Sequence, residues 1–343
     1  MPKAREKLFV DSSTGGNGDI WMRLASFYAA SALVPEYEIH LLIPPFLRRL
    51  ARFTFGDRLF ITDQEDFPGQ HLKYTTLGIK HLMIGILKGN RYISPYQRAV
   101  IHDKGKRRAK DWLNISLFNA CNYMGWVSVP AWTYITYYQG FLEIVGIKEF
   151  RHIAYEDFAS QLEADYEVLF ARLNGDIPLS KELCIPSDMD ENVVVFPTGT
   201  SRQFIPVSWA KKHLPHAYYA FFHKDEDAEL FRDSGLKTIS FYKEPGDIIS
   251  LSQKAKWTIS TDSFPSHLLQ YSSRNCTVTI TEVLKSRIIS PVFKGKVVDS
   301  EVSCHPCLHL DRKNHPLCMA GFKECQNWLH PIYTDKVLKS IPE

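Results

Sequence analysis

The stretch that decides the fold is residues 8–33, LFVDSSTGGNGDIWMRLASFYAASAL. It begins as a short apolar strand, continues through a glycine-rich turn and ends with apolar residues at helical spacing. A second strand is predicted at residues 38–43, a basic amphipathic helix at residues 45–53 and a third strand at residues 58–62. Strands that alternate with helices predict βαβ units around a parallel sheet.

The second half of the chain repeats this pattern. Residues 192–196 (NVVVF) predict a strand, a polar turn follows, and strands and helices alternate as far as the strand at residues 257–261. Between the halves, residues 174–190 gather Gly, Pro, Ser and Asp, which is typical of a linker. We therefore predict an α/β protein of two Rossmann-like domains, residues 1–180 and 181–343.

Length and charge limit the class of protein. The 343 residues are too many for one compact core and suit two domains. A net charge of +3 is too weak to indicate binding to duplex nucleic acid. The start of the chain lacks a signal-peptide pattern, and the uncharged residues 112–142 contain too many polar side chains for a membrane span, so we expect a cytoplasmic protein.

Three turns after predicted strands carry polar groups, and ligands of doubly wound sheets bind at such turns. The first is GGNGD, in which Gly16 and Gly18 permit close backbone approach to a ligand. It is neither a P-loop nor a dinucleotide fingerprint, because Trp21 stands where a third glycine is needed. Asp19 has two interpretations, a helix cap or a general base.

The second turn is PTGTSRQF, residues 197–204, whose Arg202 is either a surface arginine or a partner for a diphosphate. The third is TDSFPSH, residues 261–267. There Asp262 is either a helix cap or a ligand contact. The side chains of Ser263, Ser266 and His267, with the helix N-terminus, form a candidate pyrophosphate site.

In this order, the three turns resemble glycosyltransferase family nine, the heptosyltransferases. Members of that family have a glycine-rich Gly-Asp turn after the first strand, here Gly18-Asp19. They also have a Pro-x-x turn with a basic residue after the interdomain linker and a D-[ST]-G-P-x-H pattern. Phe264 replaces the glycine of that last pattern, which puts the shape of the diphosphate pocket and the choice of donor in doubt.

The resemblance implies the GT-B fold, in which two Rossmann-like domains face each other across a cleft. Residues 1–180 would bind the acceptor and residues 181–343 the nucleotide sugar. It implies a metal-independent, inverting transfer of a sugar, such as heptose, from a donor like ADP-heptose to a glycan or lipid-linked saccharide. Asp19 would be the base. The implied donor-binding residues are Gly16, Gly18, Thr198, Gly199, Thr200, Arg202, Asp262, Ser263, Ser266 and His267.

Other readings of the same fold stay open: transfer to a protein or a modified nucleobase, or an inactive nucleotide-binding scaffold. The basic run KGKRRAK at residues 104–110, predicted to lie in a loop, is either a solvated surface or an attachment to a phosphorylated acceptor or an anionic membrane. The second interpretation would place the protein peripherally at the inner face of the membrane.

The cysteine-rich segment at residues 304–325 holds Cys304, Cys307, Cys318 and Cys325. Four thiolates in a short window fit a structural zinc or iron site, and a reduced, packed cysteine cluster is the alternative. A related branch, the autotransporter heptosyltransferases, binds iron through cysteines, and this resemblance favours the metal. The other cysteines, Cys121, Cys184 and Cys276, are predicted to be buried small apolar residues.

Overall fold

The computed structural model describes residues 6–12, 16–33, 35–63, 98–103, 106–107, 155–197, 205–281, 284–305 and 324–343. The chain divides into two compact units, the N-terminal unit Met1–Asp165 and the C-terminal unit Tyr166–Glu343. The division falls within a helix that ends at Leu173, just before the stretch that the sequence suggests as a linker. The domain boundary at residue 180 stays a prediction.

The N-terminal unit contains a five-stranded sheet in the order β3-β2-β1-β4-β5. Its elements are β1 (Glu6–Asp11), α1 (Asn17–Ser31), β2 (Tyr37–Leu42), α2 (Pro45–Phe55), β3 (Leu59–Ile61), β4 (Arg98–Asp103), β5 (Lys106–Arg107) and the start of α3 (Tyr155–Leu173). Strands β1 to β3 are parallel, as the sequence predicts.

The other edge of this sheet departs from the prediction. Strand β4 runs antiparallel to β1, and β5 runs antiparallel to β4, with Asp103 paired to Lys106. The prediction of a loop is therefore wrong for Lys106–Arg107, which form a short strand. A charged strand two residues long, with Lys and Arg, is a common way to end a sheet without inviting another chain to pair with it.

Helix α1 forms the core of the N-terminal unit. All residues from 20 to 31 are buried, so the helix is enclosed on every side rather than lying on the surface. The ring of Trp21 lies 5.2 Å from that of Phe55 in α2, and the ring of Tyr28 lies 5.6 Å from the same Phe55. These contacts fix the two helices against each other.

The C-terminal unit contains a six-stranded sheet. After a 3-10 turn at Met189–Glu191, its elements are β6 (Val193–Phe196), α4 (Val207–His213), β7 (Tyr218–Phe222), α5 (Asp227–Asp233), β8 (Lys237–Phe241), α6 (Gly246–Lys254), β9 (Trp257–Thr261), α7 (Phe264–Ser272), β10 (Cys276–Thr279), α8 (Lys285–Ile288), β11 (Lys296–Val298), α9 (Gln326–Leu329) and α10 (Pro331–Ser340).

All neighbouring strands of this sheet are parallel, in the order β8-β7-β6-β9-β10-β11. Numbered within the unit, the order is 3-2-1-4-5-6, which is that of the doubly wound nucleotide-binding sheet. The predicted α/β class is thus confirmed, and the Rossmann-like character is clear in this unit.

The last two helices cover one part of this sheet. The ring of Trp328 in α9 lies 4.8 Å from Trp209 in α4 and 5.3 Å from Tyr333 in α10. The indole N–H of Trp209 donates to the Thr334 hydroxyl at 2.9 Å. None of the helices in the described ranges combines the length and the apolar character needed to cross a bilayer.

Candidate functional site

The candidate site lies at the point in the six-stranded sheet where the strand order reverses. Strand order reverses between β6 and β9, which pair directly, with Phe196 opposite Ser260. The Thr261 hydroxyl donates to the Phe196 carbonyl at 3.4 Å. The turns that follow these strands, beginning at Pro197 and Asp262, therefore leave the same sheet edge side by side. Such a switch point is the usual ligand site of a doubly wound sheet.

Asp262 and His267 form a buried polar pair in the second of these turns. His267 Nε2 lies 3.8 Å from Asp262 Oδ1, and their side chains are 7% and 2% exposed. Asp262 follows β9 directly, and His267 lies in the second turn of α7. The structure thus brings together two residues that the sequence selects, on a strand end and a helix start.

Serines 263 and 266 close the first turn of α7. The Ser266 hydroxyl donates to the Ser263 carbonyl at 2.8 Å, and the Ser263 amide donates to the Ser266 hydroxyl at 3.4 Å. The Ser266 amide also donates to the Ser263 carbonyl. Pro265 has no N–H to offer. The Ser263 hydroxyl also donates to the Thr261 carbonyl at 3.3 Å, so the amides and the hydroxyls of both serines are engaged within this turn.

Phe264 is the first residue of α7 and is half-buried, whereas its neighbours Asp262, Ser263 and Pro265 are buried. It stands where the resembled family has glycine.

The turn after β6 lies mostly outside the described residues, including Thr198, Gly199, Thr200 and Arg202. Its two ends are nevertheless joined, because the Ile205 amide donates to the Pro197 carbonyl at 3.0 Å. The two described ends of the turn, Pro197 and Ile205, are therefore neighbours in space. The roles assigned to these four residues stay predictions.

The glycine-rich turn belongs to the N-terminal unit. The spacing of the apolar residues predicts a helix from Ile20 to Leu33, but helix α1 begins at Asn17, so Asp19 lies within its first turn. Its Oδ2 accepts the amide N–H of Gly16 at 3.2 Å, which supports the helix-cap interpretation. The carboxylate is exposed and retains other lone pairs, so the bond leaves it able to accept a proton. Gly18 is buried.

One residue beside this turn, Arg23, was not selected by the sequence analysis. Arg23 is 1% exposed, although it is charged, and its Nη1 donates to the Ser12 hydroxyl at 2.9 Å. The available signal was its position: it is the single basic residue in the sequence of α1, and it lies among apolar side chains.

The cysteine prediction falls partly outside the described residues. Cys307 and Cys318 lie there, while Cys304 is exposed and Cys325 is buried. Within the described ranges there is no group of three or more side chains suited to a metal ion. Cys276 is buried as predicted, and burial raises the pKa of its thiol to about 12.

The predicted burial is wrong for Cys184, which is exposed. It lies in the irregular segment before β6, where none of the described strands or helices covers it. Cys121 lies outside the described residues.

Comparison with known proteins finds likeness at the level of structure alone. No family model matches the chain, and no curated protein matches it. The chain is similar in structure to glycosyltransferases of family nine. The crystal structure of a family nine glycosyl transferase from Veillonella parvula DSM 2008 shares 12% identity, with a TM-score of 0.45, over 88% of this chain and 87% of that one.

Two structures from E. coli are also similar. The ADP-heptose LPS heptosyltransferase II shares 11% identity, with a TM-score of 0.48, over 98% of this chain and 97% of that one. Heptosyltransferase WaaC with ADP-2-deoxy-2-fluoro heptose shares 10% identity, with a TM-score of 0.44, over 82% and 92% of the two chains. These likenesses concern the fold.

Proposed function

We propose that this chain is a glycosyltransferase that moves a sugar from a nucleotide-diphosphate donor to a saccharide acceptor. One observation carries the proposal: at the switch point of a 3-2-1-4-5-6 sheet, the buried pair Asp262 and His267 lies beside the turn that begins at Pro197. The motif resemblance gives both turns donor-binding roles. The alternatives with the same fold are transfer to a protein or a modified nucleobase, and an inactive nucleotide-binding scaffold.

The proposed reaction is an inverting displacement. Asp19 accepts the proton of an acceptor hydroxyl, whose oxygen forms a bond to the anomeric carbon of the donor sugar. The bond from that carbon to the diphosphate breaks, and the electron pair leaves with the diphosphate. Arg202, Ser263 and His267 stabilise the charge that develops there, which is the role a divalent ion has in other transferases. Thr198, Gly199, Thr200, Ser266, Asp262, Gly16 and Gly18 complete the proposed donor contacts.

The proposed donor is a sugar nucleotide like ADP-heptose, and the proposed acceptor is a glycan or lipid-linked saccharide. The test is release of free nucleotide from a panel of sugar nucleotides, with ADP-heptose first. Asp19→Ala is expected to abolish transfer while ADP binding, measured by calorimetry, is retained. Full activity of Asp19→Ala would remove the base assignment. A thermal shift with donors of the panel, without turnover of any of them, would favour the inactive nucleotide-binding scaffold.

We further propose a structural zinc or iron site at Cys304, Cys307, Cys318 and Cys325. Asn327 is fully buried and lies just after the cysteine-rich segment. Its Oδ1 accepts the Glu301 amide at 2.9 Å and its Nδ2 donates to the Ser300 hydroxyl at 2.9 Å, and both partners lie just before that segment. The described residues just before and just after the cysteine-rich segment are therefore joined to each other, which supports a closed structural site. Elemental analysis of fresh protein tests the site, and a metal content near zero would exclude it.

Peripheral contact with the inner face of a membrane is the remaining proposal. Helix α2 exposes Arg49, Arg52 and Phe53, and Phe60 is exposed on the neighbouring strand β3. A basic and aromatic face of this kind suits an anionic bilayer. Sedimentation with phosphatidylglycerol vesicles, compared with phosphatidylcholine vesicles, tests it. Binding that is equal for both, or unchanged in Arg49→Glu/Phe53→Ser, would contradict it.

A further inference from the structure

Arg23 is an unusual residue for its place in the fold. It lies in the second turn of α1 with 1% of its surface exposed, among side chains that are almost all buried. Burying a guanidinium is costly unless hydrogen bonds replace its water, and apolar residues of similar volume are often as stable or more so. Packing alone would therefore be served equally well by methionine or leucine at this position.

The hydrogen bonds of Arg23 connect the two sides of one turn. Its Nη1 donates to the hydroxyl of Ser12, the residue that follows β1, at 2.9 Å. Its Nε donates to the carbonyl of Asp19, in the first turn of α1, at 3.4 Å. The planar guanidinium carries its donors on separate nitrogens in a fixed geometry, so it can reach both acceptors. A lysine carries all its donors on one nitrogen and does not reproduce this arrangement.

We propose that Arg23 is a positioning residue for Asp19. It holds the end of β1 against the first turn of α1, and this separation sets where the Asp19 carboxylate lies. The bond from the Gly16 amide to Asp19 Oδ2 then fixes the direction of the side chain within the turn. The proposal rests on the proposed function only in calling Asp19 the reacting group.

Matched variants separate this role from general packing. Arg23→Met removes the charge and all donors with little loss of volume, Arg23→Lys retains the charge, and Ser12→Ala removes one acceptor without touching the helix. Ser26→Ala is the control, because the Ser26 hydroxyl is equally buried and donates to the Met22 carbonyl of its own helix, at 2.9 Å.

The first measurement is amide hydrogen exchange of the full chain, which needs no substrate. The Ile20 amide, bonded to the Gly16 carbonyl, reports on the first turn, and the Ala29 and Ala30 amides report on the end of the helix. Arg23→Met is expected to raise exchange at Ile20 at least tenfold, with Ser12→Ala and Arg23→Lys intermediate, while the end of the helix is unchanged. Unchanged exchange at Ile20, or an equal increase along all of α1, would overturn the proposal.

The second measurement is donor turnover with ADP-heptose. Arg23→Met is expected to lower kcat at least tenfold with the donor KM within twofold of the parent, and Arg23→Lys to recover part of the loss. A rise in KM with unchanged kcat would overturn the assignment to Asp19. If the parent protein turns over no sugar donor, the proposed function fails, whereas the positioning of the turn is still decided by the exchange data.

Discussion

Arg58 holds Asp165 through two hydrogen bonds, from Nη1 to Oδ2 at 3.0 Å and from Nη2 to Oδ1 at 2.7 Å. The Asp165 side chain is 5% exposed, and the Arg58 guanidinium also lies 4.3 Å above the Tyr28 ring. Burial lowers the pKa of Arg58, but the hydrogen bond and charge of Asp165 outweigh it and leave that pKa above its ordinary value. The pair fixes the start of β3 to α3 within the N-terminal unit.

Breaking this pair is expected to destabilise the N-terminal unit. Arg58→Met leaves the buried Asp165 carboxylate without its bidentate partner, at a cost of about 2–4 kcal/mol in the free energy of unfolding, because a buried charge without its partner is strongly unfavourable. Urea unfolding measures the loss. The double variant Arg58→Met/Asp165→Asn should lose less than the sum of the two single variants; simple additivity would show that the two residues are not coupled.

A second buried carboxylate ties the segment before β6 to the C-terminal sheet. Asp247 is fully buried, and it accepts the Ser180 amide at 2.8 Å and the Tyr242 amide at 2.9 Å. Asp247→Ala leaves two backbone donors without an acceptor and should cost about 2–4 kcal/mol of unfolding free energy. Ser180→Ala keeps its amide and loses only the part-buried bond that its hydroxyl accepts from the Glu244 amide at 3.3 Å, so this control should cost no more than about 1 kcal/mol. Equal losses in both variants would contradict this explanation.

The neighbouring Gly246 is required by a close backbone contact. A Cβ at this position would lie 2.0 Å from the Pro178 carbonyl oxygen. Gly246→Ala should therefore displace the segment around Pro178 and lower the melting temperature by several degrees, as overpacking in a core does. Gly235→Ala is not a suitable control, because Gly235 has a φ of 84°, which glycine adopts freely and alanine does not. Gly175→Ala, where the nearest atom lies at 3.3 Å, should have the smaller effect.

His213 should give the C-terminal unit a pH-dependent stability. Burial, with a smaller contribution from the Lys212 charge, lowers the pKa of His213 below its ordinary value of 6.5. The unfolded chain then binds the proton more tightly, so this contribution is fully present above about pH 6.5 and is lost as the pH falls towards the lowered folded-state pKa. The free energy of unfolding, compared at pH 7.5 and 5.5, should fall less in His213→Gln than in the parent. Exposed His216→Gln is the control, and an equal change in both variants would contradict the assignment.

Phe264 is expected to restrict the proposed diphosphate site. Phe264→Gly restores the glycine of the resembled motif beside Asp262 and Ser263, and frees space at the first residue of α7. ADP affinity by calorimetry should rise several-fold, with Phe264→Ala intermediate. Weaker ADP binding in Phe264→Gly, with the fold intact, would mean that the ring itself contacts the nucleotide.

The sequence predicts the C-terminal sheet well because its strands are short apolar runs between polar turns. The sequence predicts a helix at residues 207–213 and strands at residues 218–222, 237–241 and 257–261, and these bounds agree with α4, β7, β8 and β9. Strand β10 (Cys276–Thr279) was not predicted, although Cys276 and Val278 alternate with two threonines, which is a pattern typical of a strand. Local patterns also give no sign of an antiparallel neighbour, so β4 and β5 were missed.

In the candidate site, too, some contacts follow from the sequence and others do not. Asp262 and His267 are close in sequence and lie on a strand end and a helix start, so their proximity follows from local structure. The bond between Arg23 and Ser12 spans eleven positions and depends on how the glycine-rich turn folds back, which no spacing rule contains. The environments of Asp19 and Arg23 could therefore be determined only from the structure.

The bond between Ile205 and Pro197 has a consequence for how this protein can diversify. Because it closes the turn at its base, the residues in between can be exchanged, lengthened or shortened without altering the register of the central strands. Under the proposed function, selection for a new donor would act on that short stretch alone, while the scaffold stays the same. Grafting the corresponding stretch from a relative is then a direct way to redirect the proposed transfer.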